Sequence, residues 1–222
     1  MSNEITDLVF ILDKSNSMSG MERATIGGYN SLLEKQKEDD GRCRVTTVLF
    51  NDKYKLLHNR VDIHDVGKLT GRDYRADGNT ALMDAIGRTI NKVARFQTSA
   101  DLEKRPEKAM FVIVTDGMEN ASRKFSSAQI KSMIERQKEE NGWEFVFLGA
   151  NIDAVKTAAL YGIDSSRAAD YRADSRGTRL NFTVMNKAVR VFRKVGKLNS
   201  SFLKDIRSDG FRRGGKLGRK IF

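Results

Sequence analysis

Apolar residues change their spacing repeatedly along the chain, and each change marks an element. Leu8 to Leu12 form an unbroken apolar run between Asp7 and Asp13, as expected of a strand buried on both faces of a parallel sheet. Ile26, Tyr29, Leu32 and Leu33 follow at helical spacing, and polar Glu34 to Asp40 with Gly41 end that helix. Arg44 to Phe50, rich in Val and Thr, reads as a second strand. Only Asn51 to Lys53 separate it from Tyr54 to His58, a link that permits a hairpin but no crossover. The third strand is therefore expected to be antiparallel and at an edge.

Beyond an irregular stretch, Gly78-Asn79-Thr80 opens a helix marked by Leu82, Ala85, Ile86, Thr89 and Val93 and running to about Phe96. Ala109 to Thr115 is a fourth strand, just after Pro106, the single proline of the chain. Ser126 and Gln129 fit a capping box for a helix continued by Ile130, Met133 and Ile134. Glu144 to Leu148 reads as a fifth strand, with Trp143 in the core at its start. Asp153 to Leu160 forms a short helix, and Ala168 to Tyr171 a last edge strand. Leu180, Val184, Ala188, Val191, Phe192 and Val195 give a final helical stripe up to Gly196. The alternation implies an α/β fold: a doubly wound, mostly parallel six-stranded sheet with helices on both faces.

Charge divides the chain unevenly. Residues 187–222 carry twelve Lys or Arg against Asp205 and Asp209, so this end holds +10 of a total net charge of +11. The expected division is a domain over residues 1–196 and a basic tail over 197–222, either a flexible arm or locally docked. In the tail, Arg207, Arg212, Arg213, Lys216, Arg219 and Lys220 are candidates for contacts with nucleic acid or an acidic protein surface. No apolar run approaches the roughly 20 residues needed to cross a bilayer, so no membrane contact is expected. The polar start, Met1 to Thr6, and the lone Cys43 lead us to expect no signal peptide, no internal disulfide and a cytoplasmic location.

Three loops carry the candidate chemistry: Asp13-Lys14-Ser15-Asn16-Ser17 after the first strand, Gly78-Asn79-Thr80 before a helix, and Thr115-Asp116-Gly117 after the fourth strand. In a sheet of order 3-2-1-4-5-6, strands one and four flank the point where strand order reverses, which is where such folds bind ligands. Asp13 and Asp116 are then expected to face each other across that crevice, with Ser15, Ser17 and Thr80 supplying hydroxyl oxygens. An all-oxygen set suits a hard cation, Mg²⁺ or Mn²⁺, and no His, Cys or Met is placed to make a soft site. Glu119 and Asn120 either add to the rim of the site or merely begin a loop. His58 and His64 are isolated and read as structural or solvent-facing.

Asp13-x-Ser15-x-Ser17, Thr80 and Asp116 resemble the metal-ion-dependent adhesion site of von Willebrand factor A domains. The resemblance covers about residues 5–195 and looks closest to small stand-alone A-domain proteins of bacteria and their phages. It implies that Ser15 and Ser17 ligate the metal directly and that Thr80 is a switchable ligand. Asp13 and Asp116 would balance charge, mostly through water. It also implies a protein partner that presents an Asp or Glu to the metal. Asn16 departs from the glycine common in the family; asparagine's tolerance of left-handed backbone suggests that the turn survives with a slightly changed shape.

Catalysis is disfavoured, because the chain has no Gly-rich phosphate loop ending in Lys-Ser/Thr and no evident nucleophile–base pair. The sequence thus leads to a metal-dependent protein-binding module. The alternative is a nucleic-acid-associated or assembly protein that acts through the basic tail.

Overall fold

The computed structural model describes residues 5–213. Six strands form one sheet: β1 (Ile5–Asp13), β2 (Arg42–Phe50), β3 (Tyr54–Asp62), β4 (Lys108–Thr115), β5 (Glu144–Gly149) and β6 (Ala168–Asp170). Their order is β3-β2-β1-β4-β5-β6. All neighbours are parallel except β2 and β3. Both expectations from the sequence, the order and the antiparallel edge, are met.

Alternation along β1 sends its side chains into two cores. Leu8, Phe10 and Leu12 pack beneath α1 (Glu22–Lys37) and α5 (Ser175–Val195), beside Tyr29, Phe182 and Phe192. Val9 and Ile11 face α2 (Leu82–Ser99), α3 (Ser127–Asn141) and α4 (Ala154–Leu160), beside Ile86, Ile130 and Phe111. Full burial of each such side chain contributes about 1.5–3 kcal/mol. This two-sided burial is why β1 reads as an unbroken apolar run.

Local signals set most boundaries. Ser126 and Gln129 make both bonds of the capping box that starts α3, and Gly142 ends it at φ 60°. Asp174 accepts the Gly177 amide to start α5, and Gly196 at φ 73° stops it. Trp143 is buried and stacks on Phe111, with ring centroids 5.1 Å apart. His58 is structural, its Nδ1 lying 3.1 Å from the Thr47 hydroxyl.

Several expectations need correction. α1 begins at Glu22, a full turn before the first apolar position. β3 runs on to Asp62, because a bulge against β2 takes up an extra residue. α2 starts at Leu82 rather than at Gly78-Asn79-Thr80 and continues to Ser99. On α5, Val191 and Val195 are exposed, and the buried face is drawn by Asn181, Met185, Ala188, Val189 and Phe192.

The segment after Gly196, left open as an arm or a docked piece, is docked in its described part. A helix not foreseen from the sequence, α6 (Lys204–Arg212), packs on β6 and α5. Leu198, Leu203 and Ile206 join the core under α5. Arg207 donates to the carbonyls of Ser165 and Ala168 at 2.7 and 2.9 Å.

Candidate functional site

The loops after β1 and β4 leave neighbouring strands at the C-terminal edge of the sheet, and the loop before α2 closes over them. Asp13 anchors the group. Its Oδ1 accepts the Ser15 amide at 2.7 Å and its Oδ2 accepts the Thr115 hydroxyl at 2.5 Å, so both oxygens are fixed. The buried Tyr74 hydroxyl donates to the Asp13 carbonyl. Ser17 donates its single proton to Asp116 Oδ1 at 2.6 Å. Ser15 must therefore supply the proton for the 3.1 Å contact between the two serine hydroxyls.

Gly117 brings in the third hydroxyl. A Cβ at this position would lie 3.0 Å from Ser17 Oγ and 3.3 Å from Thr80 Oγ1, so a side chain here would crowd both oxygens, whereas glycine leaves them free to converge. All five predicted residues, Asp13, Ser15, Ser17, Thr80 and Asp116, thus line one crevice. Ser17 is its exposed member and the other four are buried.

Backbone bonds hold the loops in register. The Asn16 amide donates to the Gly78 carbonyl at 2.9 Å, and the Asp77 amide to the Lys14 carbonyl at 2.9 Å. Asn16 opens a 3-10 turn (Asn16–Met18) and is not among the left-handed residues, so the left-handed tolerance invoked for it from the sequence is not needed. Gly78 sits at φ +75°, in the left-handed region where any side chain is strained.

Glu119 and Asn120 face the backbone. Asn120 Oδ1 accepts the Thr80 amide at 2.8 Å, while the amides of Asn120 and Ala121 donate to the Thr80 carbonyl. Glu119 accepts the amides of Met83, Ala121 and Ser122 and so pins this loop to the first turn of α2. From sequence these two residues were weighed as either rim or loop, and Tyr74 and Thr115 were not assigned to the site, although Thr115, directly before Asp116, stood inside a motif already singled out.

Electrostatics gives the crevice a direction. Burial raises the Asp13 carboxyl above its usual range. Burial, and then the nearby Asp13, push Asp116 up to about 6. Asp116 Oδ2 is buried with no hydrogen-bond partner. Two close, desolvated carboxylates, one with an orphaned oxygen, are costly as anions unless a cation is beside them. Among the described residues no three His, Cys, Asp or Glu side chains group into a cation site. Hydroxyl donors would therefore have to complete this one, and Ser15, Ser17 and Thr80 are placed to do so. The donor set fits a small hard cation with open positions for water.

The tail candidates divide. Arg207 is occupied with the carbonyls of Ser165 and Ala168, and Arg213 pairs with Asp209 and, at 2.8 Å, with Asp174. Arg212 is exposed beside Phe211. Lys216, Arg219 and Lys220 lie outside the described residues.

No curated protein is similar enough in sequence to match this chain. Among solved structures, proximal thread matrix protein 1 of the mussel byssus superposes with TM-score 0.56 at 13% identity, covering 84% of this chain and 46% of that one. Another structure of that protein, described as having a zinc-occupied MIDAS motif, gives TM-score 0.55 at 14% identity, with 86% and 46% covered. This chain thus spans about half the length of the mussel protein. The vWF domain of the type V pili tip protein Mfa5 from Porphyromonas gingivalis gives TM-score 0.58 at 11% identity, covering 87% of this chain and 98% of that one. At these identities the likeness establishes the fold alone. Residues 7–188 match the von Willebrand factor type A domain, so most of the chain, including all three loops of the crevice, belongs to that family of generally metal-binding, protein-interaction domains.

Proposed function

We propose that this protein is a divalent-metal-dependent binding module, holding Mg²⁺ or Mn²⁺ through Ser15, Ser17 and Thr80 with Asp13 and Asp116 balancing the charge. The observation that carries the reading is the orphaned, buried Asp116 Oδ2 beside three converging hydroxyls. Neutral hydroxyl ligands leave a bound cation electrophilic enough to accept a carboxylate oxygen from outside. Each residue of the chain has a holding task. Asp13 fixes the Ser15 backbone, Asp116 orients the Ser17 hydroxyl, and the Asn120 clamp sets the reach of Thr80. The partner is then a protein surface presenting an Asp or Glu to the metal.

The test uses Mn²⁺ as a paramagnetic probe. Bound Mn²⁺ with open positions enhances the relaxation of water protons, and acetate should displace that water and reduce the enhancement. Retained enhancement at saturating acetate would refute carboxylate capture while leaving metal binding intact.

A second reading, a nucleic-acid-associated or assembly role for the basic end, rests on Phe211, 77% exposed beside Arg212. Binding of single-stranded DNA that weakens steeply with salt and vanishes in Arg212→Gln would favour it. Docking of α6 by Arg207 and Arg213 leaves fewer cations for that task.

A further inference from the structure

A cleft of about 380 Å³ lies between the β2–β3 edge and the C-terminal half of α2. Arg44, Arg60 and Lys92 line it, with Asn59, Thr46 and Phe96. In register Arg44 stands beside Asp7, six positions along β1 from Asp13. At about 3.3 Å per residue this places the cleft roughly 20 Å from the metal loops, at the other end of the sheet.

The chain spends conformational strain to build this cleft. Arg60 is one of two described non-glycine residues with positive φ, at 51°. Val45 pairs with Val61 and Thr47 with His58, so Thr46 alone opposes both Asn59 and Arg60. The Thr46 hydroxyl accepts the Arg60 amide at 3.2 Å in place of a ladder bond. Such bulges re-aim side chains, and left-handed non-glycine residues gather where a site requires them. The re-aimed guanidinium lies 3.6 Å over the Phe96 ring and pairs with buried Asp7.

Charge then decides what the cleft accepts. Asp7 offsets one of its three cations. Asp62, the cross-strand neighbour of Arg44, is outside the lining and accepts the His64 amide. Among the described residues Arg44 donates once, to the Arg60 carbonyl at 3.3 Å. No hydrogen bond or ion pair engages the Lys92 ammonium among the described residues. Two cationic side chains with donors to spare therefore converge in a concave, partly apolar site of small-molecule size.

We infer that this cleft binds a phosphate monoester dianion, with Arg44 and Lys92 gripping the phosphoryl oxygens and Arg60 fixed by Asp7 and Phe96 as the wall behind them. The inference is independent of the metal reading. Its test is a titration of inorganic phosphate at pH 8 in EDTA, followed by ³¹P line broadening at constant ionic strength. Saturable broadening is expected, weakened at least tenfold by Lys92→Gln and by Arg44→Gln. Lys92 has no structural partner to lose, so its variant separates binding from folding. Absence of broadening, or broadening unchanged in Lys92→Gln, would overturn the inference.

Discussion

Asp116 is held as an anion against its surroundings, so removing its charge should stabilise the protein whenever metal is withheld. Burial and Asp13 raise its carboxyl from 3.8 to about 6. Each unit is worth about 1.4 kcal/mol, so holding the charge at pH 8 costs up to about 3 kcal/mol. Access of solvent beside exposed Ser17 screens part of this. Asp116→Asn keeps the oxygen that accepts the Ser17 proton and replaces the orphaned Oδ2 by an amide. Leaving that amide unpaired costs about 1 kcal/mol. The net expectation is a gain of about 1–2 kcal/mol in EDTA at pH 8. The sign with pH follows from the raised native value: between about 4 and 6 the folded state binds the extra proton. Wild-type stability therefore rises as pH falls through 6, and the variant's advantage disappears by about pH 4. With millimolar Mg²⁺ the order should reverse, because a ligand at 100 times its Kd adds about 2.7 kcal/mol to the protein that binds it. Urea unfolding at pH 8 and pH 4, with EDTA or with Mg²⁺, measures all four corners. A variant less stable than wild type in EDTA at pH 8, or equal stabilisation of both proteins by Mg²⁺, would refute the reasoning.

Other perturbations test separate parts of the account. Gly117→Ala places a methyl group 3.0 Å from Ser17 Oγ, and calorimetry should show Mg²⁺ affinity reduced at least tenfold with little change in Tm. Arg193, 9% exposed, donates to Gln36 Oε1 and to the carbonyls of Gln36, Asp39, Asp40 and Gly41 around the end of α1. Arg193→Ala leaves the buried Gln36 acceptors unpaired and the part-buried carbonyls after them to solvent, and should cost about 1–3 kcal/mol in urea unfolding, against near-neutral effects for exposed Arg95→Ala. Truncation after Gly196 uncovers the core beneath Leu198, Leu203 and Ile206, and should lower stability by several kcal/mol at about 2 per side chain. A truncated chain as stable as the full one would show that α6 docks without contributing.

How much was legible follows from the range of the interactions. β1 and β4, buried on both faces, appear as unbroken apolar runs, and Ser126 with Gln129 is a local cap, so these elements could be read directly. That Asp13, Ser15, Ser17 and Asp116 come together was legible, because strand order brings the ends of β1 and β4 side by side; Thr80 arrives on the loop before α2, which strand order does not place. Tyr74 was not legible, and Asn120 could be weighed only as rim or loop, since their bonds to Asp13 and Thr80 cross 61 and 40 residues and leave no periodic trace. The length of β3 was hidden by the bulge at Arg60, which breaks the alternation. α6 was missed because only Ile206 and Asp209 mark its buried face, and Gly210 near its end argues against a helix. The exposure of Val191 and Val195 reflects the position of α1, which fixes the buried side of α5 more than apolar content does.

The central claim is that the three loops form a cation site. Calorimetric titration of Mg²⁺ and Mn²⁺ into EDTA-stripped protein, beside a Ser15→Ala/Ser17→Ala double variant of unchanged circular dichroism, tests it most directly. The account predicts saturable one-site binding by the wild type and none by the variant. Equal binding by both proteins, or none by the wild type at millimolar metal, would contradict it.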